Sequence, residues 1–277
     1  MNNEAFDTLW YWINERHRIY LKKEAGEAKP WTTDPILQEW KFCNVFRELD
    51  KTSVWVIENI INPHKNELEV LMFNLAFFRY FNRIETGKVV GYIKSWNVEN
   101  VLETLLNLQF SGVPIFTSAY MITCGSRNGK GRNKAEVVLN EYLSPIWNNR
   151  YSIISSSLEE TSNNLRKYPG WKSGGFMAYE VVTDLTYTPI LRDAPDRTTW
   201  ANIGPGARRG LNRIFGSISK EEELNNLLWL LSESPKYIES HVPKLDLRAV
   251  EHVCCEVDKY LRVKKGEGRP RQHYHGH

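Results

Sequence analysis

Lys167-Tyr168-Pro169-Gly170-Trp171-Lys172-Ser173-Gly174-Gly175-Phe176-Met177-Ala178-Tyr179-Glu180-Val181-Val182 is the stretch from which the fold is read. A Pro-Gly turn and two further glycines run directly into apolar residues at helical spacing, so the segment reads as a hairpin opening a helix. The first N–H groups of such a helix have no intrahelical acceptor and suit an anion, phosphate above all. Gly170, Ser173, Gly174 and Gly175 are therefore candidate DNA-backbone contacts. Upstream, residues 135 to 166 read as two helices, with Leu158, Glu159 and Leu165 just before the hairpin. Downstream, Val181, Val182 and Leu185 form an apolar face. Glu180 and Asp184 stand on another face, expected as a solvated acidic edge or as partners of Arg192.

Two segments follow. In Asp193-Ala194-Pro195-Asp196-Arg197, a carboxylate could stabilise an oxocarbenium-like transition state or orient the attacking water. Asp193 and Asp196 are the catalytic candidates, with a turn and helix cap near Pro195 as the structural alternative. Gly204-Pro205-Gly206-Ala207-Arg208-Arg209-Gly210-Leu211-Asn212-Arg213 is a second glycine-rich helix start, with arginines where the helix dipole disfavours cations. Phosphate binding through N–H groups and guanidinium forks would explain Gly204, Gly206, Arg208, Arg209 and Arg213. A tight inter-helix turn is the alternative.

Working outward from the N-terminus, Phe6, Leu9, Trp10, Ile13, His17 and Tyr20 share one helical face over residues 4–24, ended by Gly26. The opposite face carries Arg16, Arg18, Lys22 and Lys23, solvated or phosphate-facing. Pro30 to Pro35 is steered away from regular helix. Asp34 is placed to cap a helix beginning at Pro35 and expected to continue through Trp40, Phe42, Val45, Phe46 and Leu49. Asn44, Arg47, Glu48 and Asp50 would then lie together. Arg47 and Asp50 read as a structural ion pair; alternatively Asn44 or Arg47 lines the mouth of a base pocket. Core helices follow from Thr52 to Phe81, interrupted near Asn62-Pro63, then a short extended piece over Val89 to Tyr92 and a helix over 97–110.

Ser126-Arg127-Asn128-Gly129-Lys130-Gly131-Arg132-Asn133-Lys134 is a basic loop. It fails as a nucleotide-binding loop, because the glycine spacing is short and Gly131 stands where the magnesium-binding hydroxyl belongs. Lys130 and Arg132 are left as candidate backbone contacts or as part of a solvated loop. Further amphipathic helices are expected over Glu221 to Leu231 and Asp246 to Leu261. The tail from Arg262 to His277 holds five Lys or Arg residues without periodicity and reads as a flexible or DNA-following arm.

Lys29-Pro30-Trp31-Thr32-Thr33-Asp34-Pro35-Ile36-Leu37, Phe42-Cys43-Asn44-Val45-Phe46-Arg47-Glu48 with Asp50, and Ala119-Tyr120-Met121-Ile122 resemble the helical domain of phage 5-hydroxymethyluracil DNA kinases and related thymine-hypermodification proteins. That resemblance extends from about Arg16 to the C-terminus. It implies a glycosylase-like helical fold and chemistry on modified thymine in DNA. Tyr168-Pro169-Gly170 and Ala178 also resemble the hairpin of the helix-hairpin-helix DNA glycosylase superfamily, although the glycines at 174 and 175 are displaced. In that superfamily a catalytic Asp follows at a distance that lands between Asp193 and Asp196. Its bifunctional members place an amine nucleophile near the hairpin, and only through that resemblance is Lys172 a further catalytic candidate.

Residue count and an apolar fraction of 42% allow a substantial core, and the net charge of +3 argues only weakly for nucleic acid. Cys43, Cys124, Cys254 and Cys255 show no metal-ligand spacing and read as reduced thiols. No signal peptide or membrane-length apolar run is recognised, so a soluble intracellular protein is expected. The expected fold is all-α, one glycosylase-like unit of two packed helical lobes over residues 1–277. Base chemistry requires extrusion into a pocket with aromatic and polar walls. Ten tryptophans are present; Trp31, Trp171 and Trp200 fall in turns, where a half-exposed indole could stack on a base. Trp31, Asp34, Asn44, Arg47, Tyr120 and Trp171 are the candidate pocket. No cofactor or metal is assigned, and the expected partner is DNA containing modified thymine, without a membrane. The leading expectation is excision of a modified thymine at its glycosidic bond. The alternatives are modification of the base with the strand intact, which would call on a separate kinase or other modification enzyme, and recognition without catalysis.

Overall fold

A computed structural model describes residues 1–277 apart from Met121, Thr123, Gly125, Asn128, Gly129, Arg269, Arg271, His275, Gly276 and His277; the side chains of Ser126, Arg127 and Lys130 also lie outside the description. Among the described residues the fold is all-α, except for a two-residue hairpin pairing Ser126–Arg127 with Lys130–Gly131. The chain divides into two compact units, one built from residues 1–50 and 197–277 and the other from 51–196.

The first unit contains α1 (Asn3–Glu24), α2 (Pro35–Glu39), and, after the second unit, α12 (Pro205–Phe215), α13 (Lys220–Glu233) and α14 (Leu247–Lys264). α1 buries Phe6, Leu9, Trp10, Ile13 and His17, the face expected from their spacing. α12 crosses α14 at very short range. A Cβ on Gly206 would lie 2.3 Å from the Cys255 sulfur, and one on Gly210 would lie 2.0 Å from the Cys254 carbonyl oxygen. Only glycine permits that approach.

Asp34 caps α2, accepting the N–H groups of Ile36 and Leu37 at 2.8 and 3.2 Å. The helix ends at Glu39, well short of Leu49. Trp40 is extended, and burial then alternates: Trp40 in, Lys41 out, Phe42 in. The apolar spacing fits a helix, but Lys41 donates to Gln272 and Tyr274 donates to Glu39, so backbone pairing replaces the helical ladder. The Arg262 tail accordingly begins as the last turn of α14, and its residues 272–274 run beside residues 39–41.

The second unit contains α3 (Lys51–Val56), α4 (Asn62–His64), α5 (Leu68–Phe81), α6 (Ile84–Val90), α7 (Val98–Phe110), α8 (Lys134–Val137), α9 (Ser144–Ile153), α10 (Leu158–Leu165) and α11 (Phe176–Leu185). A π-helical segment, Ile57–Ile61, joins α3 to α4. The break expected at Asn62-Pro63 therefore falls after His64: the wider π turn precedes Pro63, whose missing N–H would interrupt an α ladder. Val89 and Val90 belong to α6, which replaces the expected extended piece with helix ended at Gly91, φ 68°. α5 is the central element; every residue from Leu71 to Phe81 is buried. Asn82, at φ 47°, then turns the chain out.

Buried charge locks α5 to α11. Arg79, 2% exposed, makes a two-pronged ion pair with Asp184, 1% exposed, and also donates to Asn82 and Ser53. The acidic edge expected at Glu180 and Asp184 is thus interior. Two charges leave water at a cost that close pairing and extra hydrogen bonds offset.

Candidate functional site

In the first unit, residues 42–50 and the middle of α14 build a polar cluster. Residues Arg47–Leu49 form a single 3₁₀ turn, which swings Asp50 back under Asn44. The Asn44 N–H donates to Asp50 Oδ1 at 2.9 Å, the Asn44 side chain donates to the Leu49 carbonyl at 2.7 Å, and Arg47 donates to Asp50 Oδ2 at 2.9 Å. The Arg47–Asp50 ion pair expected from the sequence is present. From α14, Glu256 accepts the Cys43 N–H at 2.9 Å and pairs with Lys259 at 2.7 Å, while Arg248 pairs with Glu251 at 2.7 Å. His252 stands between these pairs.

Three groups in this cluster are electrostatically exceptional. Burial pushes the His252 imidazole down to about 4, with Arg47 and Arg248 reinforcing the shift and Glu256 opposing it. The ring is neutral at physiological pH, and its Nε2, shielded from water, has no hydrogen-bond partner among the described residues. Burial raises the Cys43 thiol, helped by the negative charges of Glu256 and Asp50, so it holds its proton. Arg16, on α1, is lowered by burial, and its guanidinium makes no ion pair or hydrogen bond among the described residues. A neutral imidazole, a thiol, carboxylates and an unmatched guanidinium can together bind an oxyanion or a metal, or accept a proton. Cys43, His252 and Glu256 were not picked out in the sequence as site residues, and Arg16, expected on a solvated or phosphate-facing side of α1, is drawn into the cluster. Only the fold brings α1 and α14 to the 42–50 segment, and the one signal beforehand was the concentration of polar residues between Asn44 and Asp50.

Of the remaining pocket candidates, Trp31 and Asp34 belong to the first unit, and Tyr120 and Trp171 to the second. Asp34 is buried beneath two phenols: Tyr11 and Tyr260 donate to its Oδ2 at 2.8 and 2.7 Å, while Oδ1 caps α2. Burial, and then the negative Asp34 carboxylate, raise both phenols well above their ordinary range. Trp31 donates to the Glu27 carbonyl at 2.7 Å, with the Lys29 ammonium 5.2 Å from its ring centre. Tyr120 lies in the second unit, donating to Glu180 at 2.8 Å and meeting Phe176 edge-on. Trp171 is 1% exposed, packed edge-on against Tyr80 and donating to the Tyr142 carbonyl at 2.9 Å. It is a core anchor, so the half-exposed stacking surface expected of it is not there; the hairpin's turn folds the indole inward.

The glycine loop between α10 and α11 has the expected local form. Gly170, Gly174 and Gly175 all take positive φ, at 82°, 61° and 70°. The Gly170 turn lies over the Tyr142 ring, where an added Cβ would meet ring carbon at 2.3 Å, and its carbonyl accepts the Tyr80 hydroxyl at 2.7 Å. Lys172, Ser173 and Gly174 are exposed, and no side chain caps the α11 N-terminus. Asp196 serves the other helix: its two oxygens accept the Leu158 and Glu159 N–H groups, each at 2.8 Å. Asp193 is exposed, with Arg192 3.7 Å away.

The arginines after Gly204 are matched by acids. Arg208 pairs with Glu223, while Arg209 and Arg213 grip Asp258, itself fully buried, at 2.9 and 2.8 Å. Arg213 also reaches Glu267 at 2.5 Å. The contacts to Glu223, Asp258 and Glu267 and the crossing through Gly206 give this motif a structural role. Gly204 itself is open, with nothing within 4 Å of an added Cβ. Arg132 pairs with Glu141, and the Lys130 side chain lies outside the described residues. A concavity of about 250 Å³ in the second unit, lined by Trp55, Asn59, Phe77, Phe78, Lys88 and Tyr92, was also missed from the sequence. Its walls combine aromatic rings with the polar side chains of Asn59, Asn74 and Lys88, a composition suited to a flat ring.

Comparison with known proteins places these features in a family context. The family described as "5-hmdU DNA kinase, helical domain" matches residues 3–269. A 5-hmdU DNA kinase of Bacillus phage SP10 is 29% identical over 298 aligned positions, covering 93% of this chain and 46% of the relative. The chain thus spans about half the length of that relative. No solved structure matches. Among the described residues, no helix is long and apolar enough to cross a membrane.

Proposed function

The chain belongs to the 5-hmdU DNA kinase helical-domain family, and from that premise we propose that it engages DNA carrying 5-hydroxymethyluracil for phosphorylation of the hydroxymethyl group, with the strand and glycosidic bond left intact. The family match over residues 3–269 carries this reading. Of the expectations drawn from the sequence, modification with the strand intact gains support from the relatives, and excision gains none.

Phosphoryl transfer asks little covalent chemistry of a protein. It asks for a positioned hydroxyl, an acceptor for its proton and cations around the transferred group. In the proposed roles, His252 lines the site of the hydroxymethyl group, and Arg16 and Arg47 offset negative charge near the transferred phosphoryl. The exposed Lys172, Ser173 and Gly174 of the hairpin, with the uncapped α11 N-terminus, contact a backbone phosphate. Since the glycine-lysine loop near Lys130 fails the nucleotide-binding pattern, the phosphoryl donor is assigned to a further unit acting with this one.

The test is binding of the chain to duplexes that differ only in thymine, 5-hydroxymethyluracil or 5-phosphomethyluracil at one position. Preference for the modified duplex, reduced by His252→Gln or Arg16→Met with the fold intact, is expected. Equal affinity for all three would overturn the reading.

A further inference from the structure

Cys43, Asp50 and His252 each offer one ligand-type atom, and these atoms lie within 4.8 Å of one another. We propose that the three side chains bind one divalent transition-metal ion of the zinc class, with a fourth coordination position left for water or an oxyanion. This holds whichever reaction the chain serves.

Three observations point to it. His252 Nε2 is shielded from water and has no hydrogen-bond partner among the described residues, an expensive state for an imidazole nitrogen unless something else occupies its lone pair. The Cys43 thiol also makes no hydrogen bond among the described residues; only its backbone N–H is engaged, toward Glu256. The other two ligands are already oriented: the Asn44 N–H and Arg47 hold Asp50, and His252 is fixed on α14 one turn before Glu256. Supporting contacts of this kind aim first ligands at a metal.

A mixed sulfur, nitrogen and oxygen set selects zinc or a neighbour in the first transition row over magnesium or calcium, which prefer oxygen alone. Binding forms a sulfur–metal bond as the Cys43 S–H proton passes to solvent; no electrons are transferred.

The full chain, purified without an immobilised-metal step, would be assayed for metal content and then stripped and titrated with Zn²⁺ and with Co²⁺. About one equivalent is expected for a single site, with a tetrahedral Co²⁺ spectrum that includes a thiolate charge-transfer band. Cys43→Ser should remove that band while circular dichroism stays native, and His252→Gln should weaken Zn²⁺ binding at least about tenfold. A variant with alanine at His273, His275 and His277 should bind as the parent does. Far less than one equivalent in the parent, an unchanged charge-transfer band in Cys43→Ser, or binding lost only with the tail histidines would each overturn the proposal.

Discussion

Asp196→Ala separates a structural carboxylate from a catalytic one. Both Asp196 oxygens accept N–H groups from the first turn of α10, each at 2.8 Å. Ser157 caps the same helix through the Glu160 N–H and remains in the variant. Losing a cap of this kind costs about 1 kcal/mol, within a range of about 0.5–2. Two bonds are lost here, one of them solvent-exposed, so about 1–2 kcal/mol is expected. For a chain of this size each kcal/mol lowers Tm by about 2–4 °C. Differential scanning calorimetry should therefore show a fall of a few degrees, with roughly half that fall for Asp196→Asn, which keeps one acceptor oxygen. Affinity for 5-hydroxymethyluracil DNA should stay within about twofold of the parent, a change of less than 0.5 kcal/mol. An unchanged Tm in Asp196→Ala, or a loss of DNA chemistry in Asp196→Asn at parental Tm, would refute the reasoning.

Other outcomes follow from the same geometry. Gly210→Ala forces a methyl to within 2.0 Å of the Cys254 carbonyl, so α12 and α14 must separate, at a cost of about 3 kcal/mol or more; Gly204→Ala, in open space, should cost well under 1 kcal/mol, and the two melting curves check the contrast. Asp184→Asn leaves Arg79 buried without its counter-charge and should destabilise by about 3–5 kcal/mol in urea unfolding. His17 is lowered to about 4 by burial, with His241 and Arg16 reinforcing the shift. Its folded pKa lies below the unfolded one, so its contribution is intact above about pH 6.5 and declines as pH falls toward 4. A His17→Phe variant should flatten that acid limb of the stability profile.

The helices were legible where apolar spacing and caps agreed, as in α1, α7 and α14. The glycine loop was legible because positive φ at Gly170, Gly174 and Gly175 needs that residue type. Residues 40–46 were not, because Trp40, Phe42, Val45 and Phe46 satisfy a helical spacing as well as the extended course they take. Charges misled most. Glu180 and Asp184 resemble a wet edge until Arg79 and Tyr120 are placed against them, and the Gly204 arginines resemble a phosphate clamp until Glu223, Asp258 and Glu267 are found opposite. Partners distant in sequence decide whether a charge is free. The same distance hid His252 from Cys43 and Asp50.

The most direct test of the central claim is to incubate the chain, alone and with the part of the phage relative that the match does not cover, with 5-hydroxymethyluracil duplexes, ATP and Mg²⁺, following nucleoside mass and free base together. The account predicts selective binding by the chain alone and, with that part of the relative added, a nucleoside heavier by one phosphoryl group in an intact strand. Release of free base with an abasic site, or no discrimination from thymine, would contradict it.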